Sequence, residues 1–196
     1  MKIFKAAAAS GALTMAMISL VACTDGSEST ASSADNNKDK GVESVGLMVQ
    51  DLGNPFFASM NNGVKAAADK LGATYSAQDG RQDLGAQNDQ IDAYIQKNVD
   101  VLLINAVNSE GIGPAVQRAR NAGITVVAVD VGAKNAEATI TTDNVQAGRL
   151  ACESLINEID GKGDILIVDG TPITSIQDRV KAVSYTHLTL PTIYSV

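Results

Sequence analysis

Tryptophan is absent from this sequence, histidine occurs once and cysteine only twice. One imidazole and two thiols are too few for a His/Cys metal cluster, so no metal site is expected. Basic residues are also in the minority, with 15 Lys and Arg against 22 Asp and Glu for a net charge of −7. A chain this acidic, with no basic cluster, is a poor partner for a phosphate backbone, which excludes nucleic acid. No uncharged apolar run reaches the ~20 residues that a membrane span needs. The phosphate-binding signatures are missing too. The turn after the first strand pattern reads Asp51-Leu-Gly-Asn-Pro55 rather than a glycine fingerprint, and no phosphate-loop lysine follows. Gly-x-Ser-x-Gly does not occur. Carboxylate pairs on helix faces read as solvated surface. The chain is therefore expected to be no enzyme, with no catalytic residue and no cofactor.

What is present begins with an export signal. Lys2 and Lys5 form a positive segment, Ala6 to Val21 is uncharged and largely apolar, and Leu20-Val-Ala-Cys23 reads as a lipobox. Residues 1–22 are thus a lipoprotein signal peptide, and Cys23 is the site of lipidation. An ordinary cleaved signal that happens to hold a cysteine is the plainer alternative. Removing Lys2 and Lys5, with no acid in that segment, takes the charge from −7 to −9. Residues 23–42 are rich in Ser, Thr, Asp, Asn and Lys without periodic apolar positions, the composition of a flexible tether. The protein is expected to be exported and lipid-anchored at the cell envelope, with acylation at Cys23 leaving no partner for an internal disulfide. Cys152 shares a helical stripe with Gly148, Leu155 and Ile159, as a buried thiol would, a reactive thiol being the sharper reading.

From Val45 onward the pattern alternates strand and helix about every 25–30 residues. Strands are predicted over Val45–Val49, Thr74–Gln78, Val99–Ile104, Ile124–Val129 and near Ala138–Thr142, and a further buried one over Asp164–Val168. The first helix starts at Asn54 and Pro55, carries Phe57, Met60, Val64, Ala68 and Leu71 at helical spacing, and ends at Gly72. Others are predicted over Asp83–Lys97, Ile112–Ala122 and Val145–Ile159, the last capped by Asp143 or Asn144. Alternating βα units of this length predict an α/β fold with a parallel sheet and helices on both faces. About 140 residues lie between tether and tail, enough for one α/β core and too few for two complete lobes.

The tail departs from this pattern. Val183-Ser-Tyr-Thr-His-Leu-Thr-Leu-Pro-Thr192 drops the helical spacing begun at Asp178–Ala182 and resembles a translated sequencing adapter. Residues 183–196 are read as an adapter-derived artefact, so the single histidine, His187, carries no function.

Three of the strand patterns end on short polar side chains: Asn54, Asn105 and Asp130. The carboxyl ends of parallel strands line the ligand crevice in open α/β sheets, so these three form one candidate hydroxyl-reading rim. Phe56 and Phe57 lie beside it in a chain that is only 4% aromatic. Rings next to hydrogen-bonding groups suit a sugar, whose C–H faces stack while its hydroxyls need polar partners. Plainer roles exist for each. Asn54 can be a helix cap, Phe57 a core residue, and Asn105 and Asp130 turn or cap residues.

Gly53-Asn-Pro-Phe-Phe57, Gly63-Val-Lys-Ala-Ala-Ala-Asp-Lys-Leu-Gly72, Asn88-Asp-Gln-Ile-Asp92, Leu103-Ile-Asn105, Val129-Asp130 and Thr142-Asp-Asn144 also occur here in a telling order. Over roughly residues 43–182 they resemble the ribose- and galactose-type periplasmic sugar-binding proteins of ABC transporters. The resemblance implies a type I periplasmic-binding-protein fold. Residues 43–142 would form a nearly complete N-terminal lobe and 143–182 the start of a truncated second lobe, with Thr142 and Asp143 at the hinge. It implies ligand contacts from Asn54, Phe56, Phe57, Asn105 and Asp130, joined by Arg179 from the second lobe. Its ribose binders have arginine where Val131 stands, so a sugar or polyol other than ribose is expected. The implied role is that of a monomer that delivers its ligand to an ABC permease. A sensory module presenting the ligand to a chemoreceptor or sensor kinase is the alternative.

Overall fold

The computed structural model describes residues 41–163, 165–185 and 193–195. The signal segment, Cys23, nearly all of the tether and His187 lie outside these residues. In chain order the elements are β1 (Ser44–Val49), α1 (Pro55–Leu71), β2 (Thr74–Asp79), α2 (Leu84–Gln96), β3 (Val101–Ile104), α3 (Gly113–Asn121), β4 (Thr125–Val129), β5 (Ala138–Ile140), α4 (Asn144–Glu158), β6 (Ile165–Ile167), α5 (Thr174–Tyr185) and β7 (Ile193–Ser195). The first five strands form one sheet in the order β2-β1-β3-β4-β5, parallel throughout, with Val45 beside Val101 and Val101 beside Thr125. That order is the doubly wound one whose winding direction reverses between β1 and β3.

Helix α1 begins and ends by local chemistry. The Asn54 side chain accepts the Phe56 N–H at 2.9 Å, Pro55 occupies the first turn, and Gly72 closes the helix at φ 69° with its N–H on Ala68 and Asp69 carbonyls. Val45, Leu47 and Val49 point from β1 towards Phe57, Val64 and Ala68 of α1. Met48 points to the other face, where Ile91, Tyr94, Leu102, Ile104, Val116, Val126 and Ala128 build the main core. Each such side chain contributes roughly 1.5–3 kcal/mol on full burial. On β3 and β4 the same alternation leaves Val101, Leu103, Val127 and Val129 half-buried on the α1 side.

Tyr94 ties the sheet to α2. Its hydroxyl lies 2.9 Å from the Leu47 carbonyl and 3.0 Å from that of Ser76, so one proton is shared between neighbouring strands. The ring covers Gly46, where a Cβ would come within 2.7 Å of it. Only glycine leaves room there. Burial pushes the Tyr94 hydroxyl up to about 12.

Three sequence expectations need correction. The segment read as a buried strand, Asp164–Val168, is only three residues of strand, and Leu166 and Val168 are 60% and 78% exposed. Burial of a strand depends on its neighbours, and among the described residues β6 pairs only with β7. Helix α5 does not stop at Ala182 but continues through Val183 and Ser184 to Tyr185. Leu71, placed on the core stripe of α1, is 65% exposed in its last turn, and Leu155 beside Cys152 is 41% exposed. Cys152 itself is buried, as its stripe predicted.

Candidate functional site

The reversal between β1 and β3 opens a crevice at the strand carboxyl ends, and the loops after these strands carry Asn54 and Asn105. Asp130 follows β4, next in the sheet. Two of the three rim residues make direct contact: Asn105 Nδ2 donates to Asp130 Oδ2 at 3.0 Å and to the Val129 carbonyl at 2.9 Å. The Asn105 side chain is fully buried, and its Oδ1 has no hydrogen-bond partner among the described residues. An orphaned acceptor at a strand end is costly unless something else binds it.

Asp130 has a left-handed backbone, φ 69°, which aspartate tolerates better than most side chains. Hydrogen bonds hold it there, its N–H donating to the Ile140 carbonyl at 2.7 Å and its own carbonyl accepting from Thr141 Oγ1 at 2.6 Å. Backbone strain of this kind concentrates at functional positions.

Asn54 sits at the exposed N-terminus of α1 with Oδ1 engaged by Phe56, so its cap role is realised. The two phenylalanines divide their tasks. Phe57 is buried in the α1 face of the core, whereas Phe56 is 54% exposed and meets Phe57 edge-on, centroids 5.2 Å apart. Phe56 is therefore the ring available to a ligand.

Arg179, on α5, is largely exposed and donates from Nε to Asn144 Oδ1 at 2.9 Å. It also borders an apolar cavity of about 410 Å³ between α4, β6 and α5, whose walls include none of Asn54, Phe56, Asn105 or Asp130. That cavity is shaped by Ile167, Val168 and Val180 and is not the crevice. Thr142 and Asp143 lie between β5 and α4, where the chain leaves the five-stranded sheet, and Asp143 caps α4 by accepting from the Gln146 N–H at 2.9 Å.

Several supporting residues escaped sequence reasoning. Gln87, fully buried, donates to the Asn105 carbonyl and accepts from the Val107 N–H, both at 3.0 Å. Gln50 donates to the Ala106 carbonyl at 2.9 Å. Two glutamines thus brace the loop that presents Asn105. Beyond β6, the first residue of α5 and the loop before it dock on the first sheet's loops. Thr174 Oγ1 accepts from the Gly132 N–H at 2.7 Å, the Thr174 N–H donates to Ser109 Oγ at 3.0 Å, and the Ser109 N–H donates to the Pro172 carbonyl at 3.2 Å. Ile173 joins the main core from the same loop. Val131 stands where the resembling ribose binders have arginine, a position expected to lie beside the ligand. It is instead fully buried in that core, because the left-handed residue Asp130 ends β4 and breaks its alternation, and Ile173 belongs to the same cluster.

A doubly wound parallel sheet carrying paired polar side chains at its strand ends defines an α/β ligand-binding fold. Within that class the chain belongs to the periplasmic binding protein family, whose model, described as periplasmic binding protein domain, matches residues 45–184. The ribose import binding protein RbsB of Bacillus subtilis (strain 168) is 31% identical over 162 residues, covering 82% of this chain and 53% of that protein. A solved solute-binding protein of an ABC transporter from Burkholderia graminis C4D1M, in complex with D-arabinose, is 27% identical with a TM-score of 0.70, over 81% of this chain and 56% of that one. The Caulobacter myo-inositol binding protein, at 20% identity and a TM-score of 0.69 over 78% of this chain and 55% of that one, shares the fold. The type I periplasmic-binding-protein fold expected from sequence is thus the fold observed. The chain spans about half the length of the curated relatives it matches.

Proposed function

We propose that the complete protein is an extracytoplasmic binding protein for a neutral sugar or polyol, working as a monomer that delivers its ligand to an ABC permease. The observation that carries this reading is the Asn105–Asp130 pair at the ends of adjacent strands, beside the winding reversal. A carboxylate held by one amide keeps lone pairs for hydroxyl donors, and charge-assisted bonds of this kind suit vicinal diols. Phe56 supplies a face for C–H groups. Asn54 and Asn105 supply hydroxyl partners from the same side, and Arg179 completes the site from the segment that follows the crossing at Thr142 and Asp143. Phe57 supports Phe56 from the core.

The names borne by relatives favour the same ligand class, since they include ribose, D-arabinose and myo-inositol. Val131, turned into the core, brings no guanidinium to the crevice, which argues for a ligand other than ribose. Lipid attachment at Cys23 would place the protein at the envelope surface, within reach of the permease.

A thermal-shift screen of the complete gene product tests the reading. Stabilisation is expected from at least one of D-arabinose, D-xylose, D-galactose, L-rhamnose, myo-inositol and xylitol. Stabilisation by amino acids or anions alone would overturn the sugar assignment, and a response to ribose alone would show that Val131 was given too much weight.

A further inference from the structure

Asn144 lies at the start of α4 and is 95% removed from solvent, at 5% exposure, yet it is polar. Its side chain has three partners. Nδ2 donates to Thr141 Oγ1 at 3.1 Å and to the Thr142 carbonyl at 2.9 Å, while Oδ1 accepts from Arg179 Nε at 2.9 Å. With both acceptors on the nitrogen side, only one amide orientation satisfies all three. Thr141 in turn passes its own proton to the Asp130 carbonyl at 2.6 Å. One hydrogen-bonded chain therefore runs from the Asp130 backbone through Thr141 and Asn144 to the Arg179 guanidinium.

We infer that Asn144 is a positioning residue that fixes the Arg179 guanidinium relative to Asp130, across the crossing of the chain between its two sheets. The inference rests on the proposed binding role of Arg179. A long arginine side chain at an exposed position loses considerable rotamer freedom when it contacts a ligand. Holding Nε beforehand removes part of that cost and reserves the two Nη groups as the edge offered to ligand hydroxyls. Because Asn144 also grips the Thr142 carbonyl, the guanidinium is registered to the backbone of the crossing itself. Any rotation there moves Arg179 together with α4. Asn144 touches no ligand in this scheme. It acts through Arg179.

The test uses the complete protein and two readouts. In ¹⁵N–¹H spectra without ligand, the Arg179 Nε–H, assigned by its loss in Arg179→Lys, is expected to exchange slowly with water. Asn144→Ala should move it among the fast-exchanging surface arginines, and Asn144→Asp, which keeps an acceptor in place, should retain it. A fast-exchanging Nε–H in the wild type, or one unmoved by Asn144→Ala, overturns the inference; the wild-type measurement decides even where a variant does not fold. Calorimetry with D-arabinose, D-ribose and myo-inositol as probes gives the second readout. Asn144→Ala should weaken binding about tenfold in the wild type and have no further effect in an Arg179→Ala background, the mark of residues acting as one unit. Independent, additive losses overturn the inference. If neither these probes nor any other sugar or polyol of the thermal-shift screen binds, the sugar-binding reading fails, and the Nε–H exchange alone decides the positioning role.

Discussion

Asn105 and Asp130 end adjacent parallel strands and are joined by a 3.0 Å hydrogen bond from amide to carboxylate. The amide is locked from behind by Gln87 and Gln50 through the loop backbone, and the carboxylate by the bonds on either side of its left-handed residue. Neither side chain needs to search for its place. Asp130→Ala is expected to lower sugar affinity on the order of a hundredfold or more, since two charge-assisted bonds at roughly 1.5–3 kcal/mol each are lost. Asn105→Ala should cost less affinity, at about 0.5–1.5 kcal/mol for a neutral bond. Calorimetry giving equal, small losses for both would assign Asp130 to the turn alone.

Thr174 fastens the start of α5 to the first sheet through Gly132 and Ser109. Thr174→Val keeps the shape and deletes the acceptor, orphaning a partly buried N–H at a cost of about 1–3 kcal/mol. Scattering profiles of the ligand-free protein should then become more extended, and ligand should bind several-fold more weakly, because part of the binding energy is spent on restoring the docked arrangement of α5 on the first sheet. Unchanged profiles and affinity would show that the seam does not hold α5 in place.

Alkaline stability follows from two tyrosines. Burial raises both Tyr75 and Tyr94 from 10.0 to about 12, with the neighbouring Tyr94 adding to the effect on Tyr75. Between pH 10 and 12 the unfolded chain has lost these phenolic protons and the folded chain retains them. The unfolded state binds fewer protons, so stability falls as pH rises through that window and is intact below it. For Tyr94 the loss amounts to roughly 3 kcal/mol at 1.36 kcal/mol per pH unit. Urea titrations at pH 8 and pH 11.5 should show the fall, and Tyr94→Phe should reduce it. An equal fall in wild type and variant would exclude Tyr94 as the source.

Cys23→Ser should move the exported protein from the membrane fraction to the soluble one, because the polar segment after Cys23 has no other apolar hold on a bilayer. Mass spectrometry of the native N-terminal peptide is the direct check, and an unmodified Cys23 would refute anchoring.

What the sequence disclosed and what it concealed divide by range. Asn54, Pro55 and Gly72 bounded α1 correctly because capping and left-handed termination are settled within a few residues. The places of Asn105 and Asp130 in the fold were legible for a similar reason, since each directly follows its own strand, whereas Asn54 comes after the loop that follows β1. Gln50 and Gln87 were not, because their acceptors lie up to 56 residues away and are known only once the strands are paired. Val131 follows Asp130 and was placed beside the ligand by analogy; the left-handed turn at Asp130 sent it inward. Leu166 and Val168 have the composition of core and, among the described residues, lack the neighbours that would make them so. A signal for Asn144 did exist: an amide next to a helix-capping aspartate already able to do the capping.

Gly148 has one more implication. A Cβ there would stand 2.5 Å from the Arg179 carbonyl oxygen and 2.8 Å from its Cα, so α4 and α5 meet backbone to backbone with no side chain as cushion. Such a joint has no slack for sliding or tilting. The two helices form a built-in ruler: a pair of spin labels across them should report a constant distance in every ligand state, and any change measured from α5 to the five-stranded sheet then belongs to the crossing at Thr142 and the seam at Thr174, not to the helix pair.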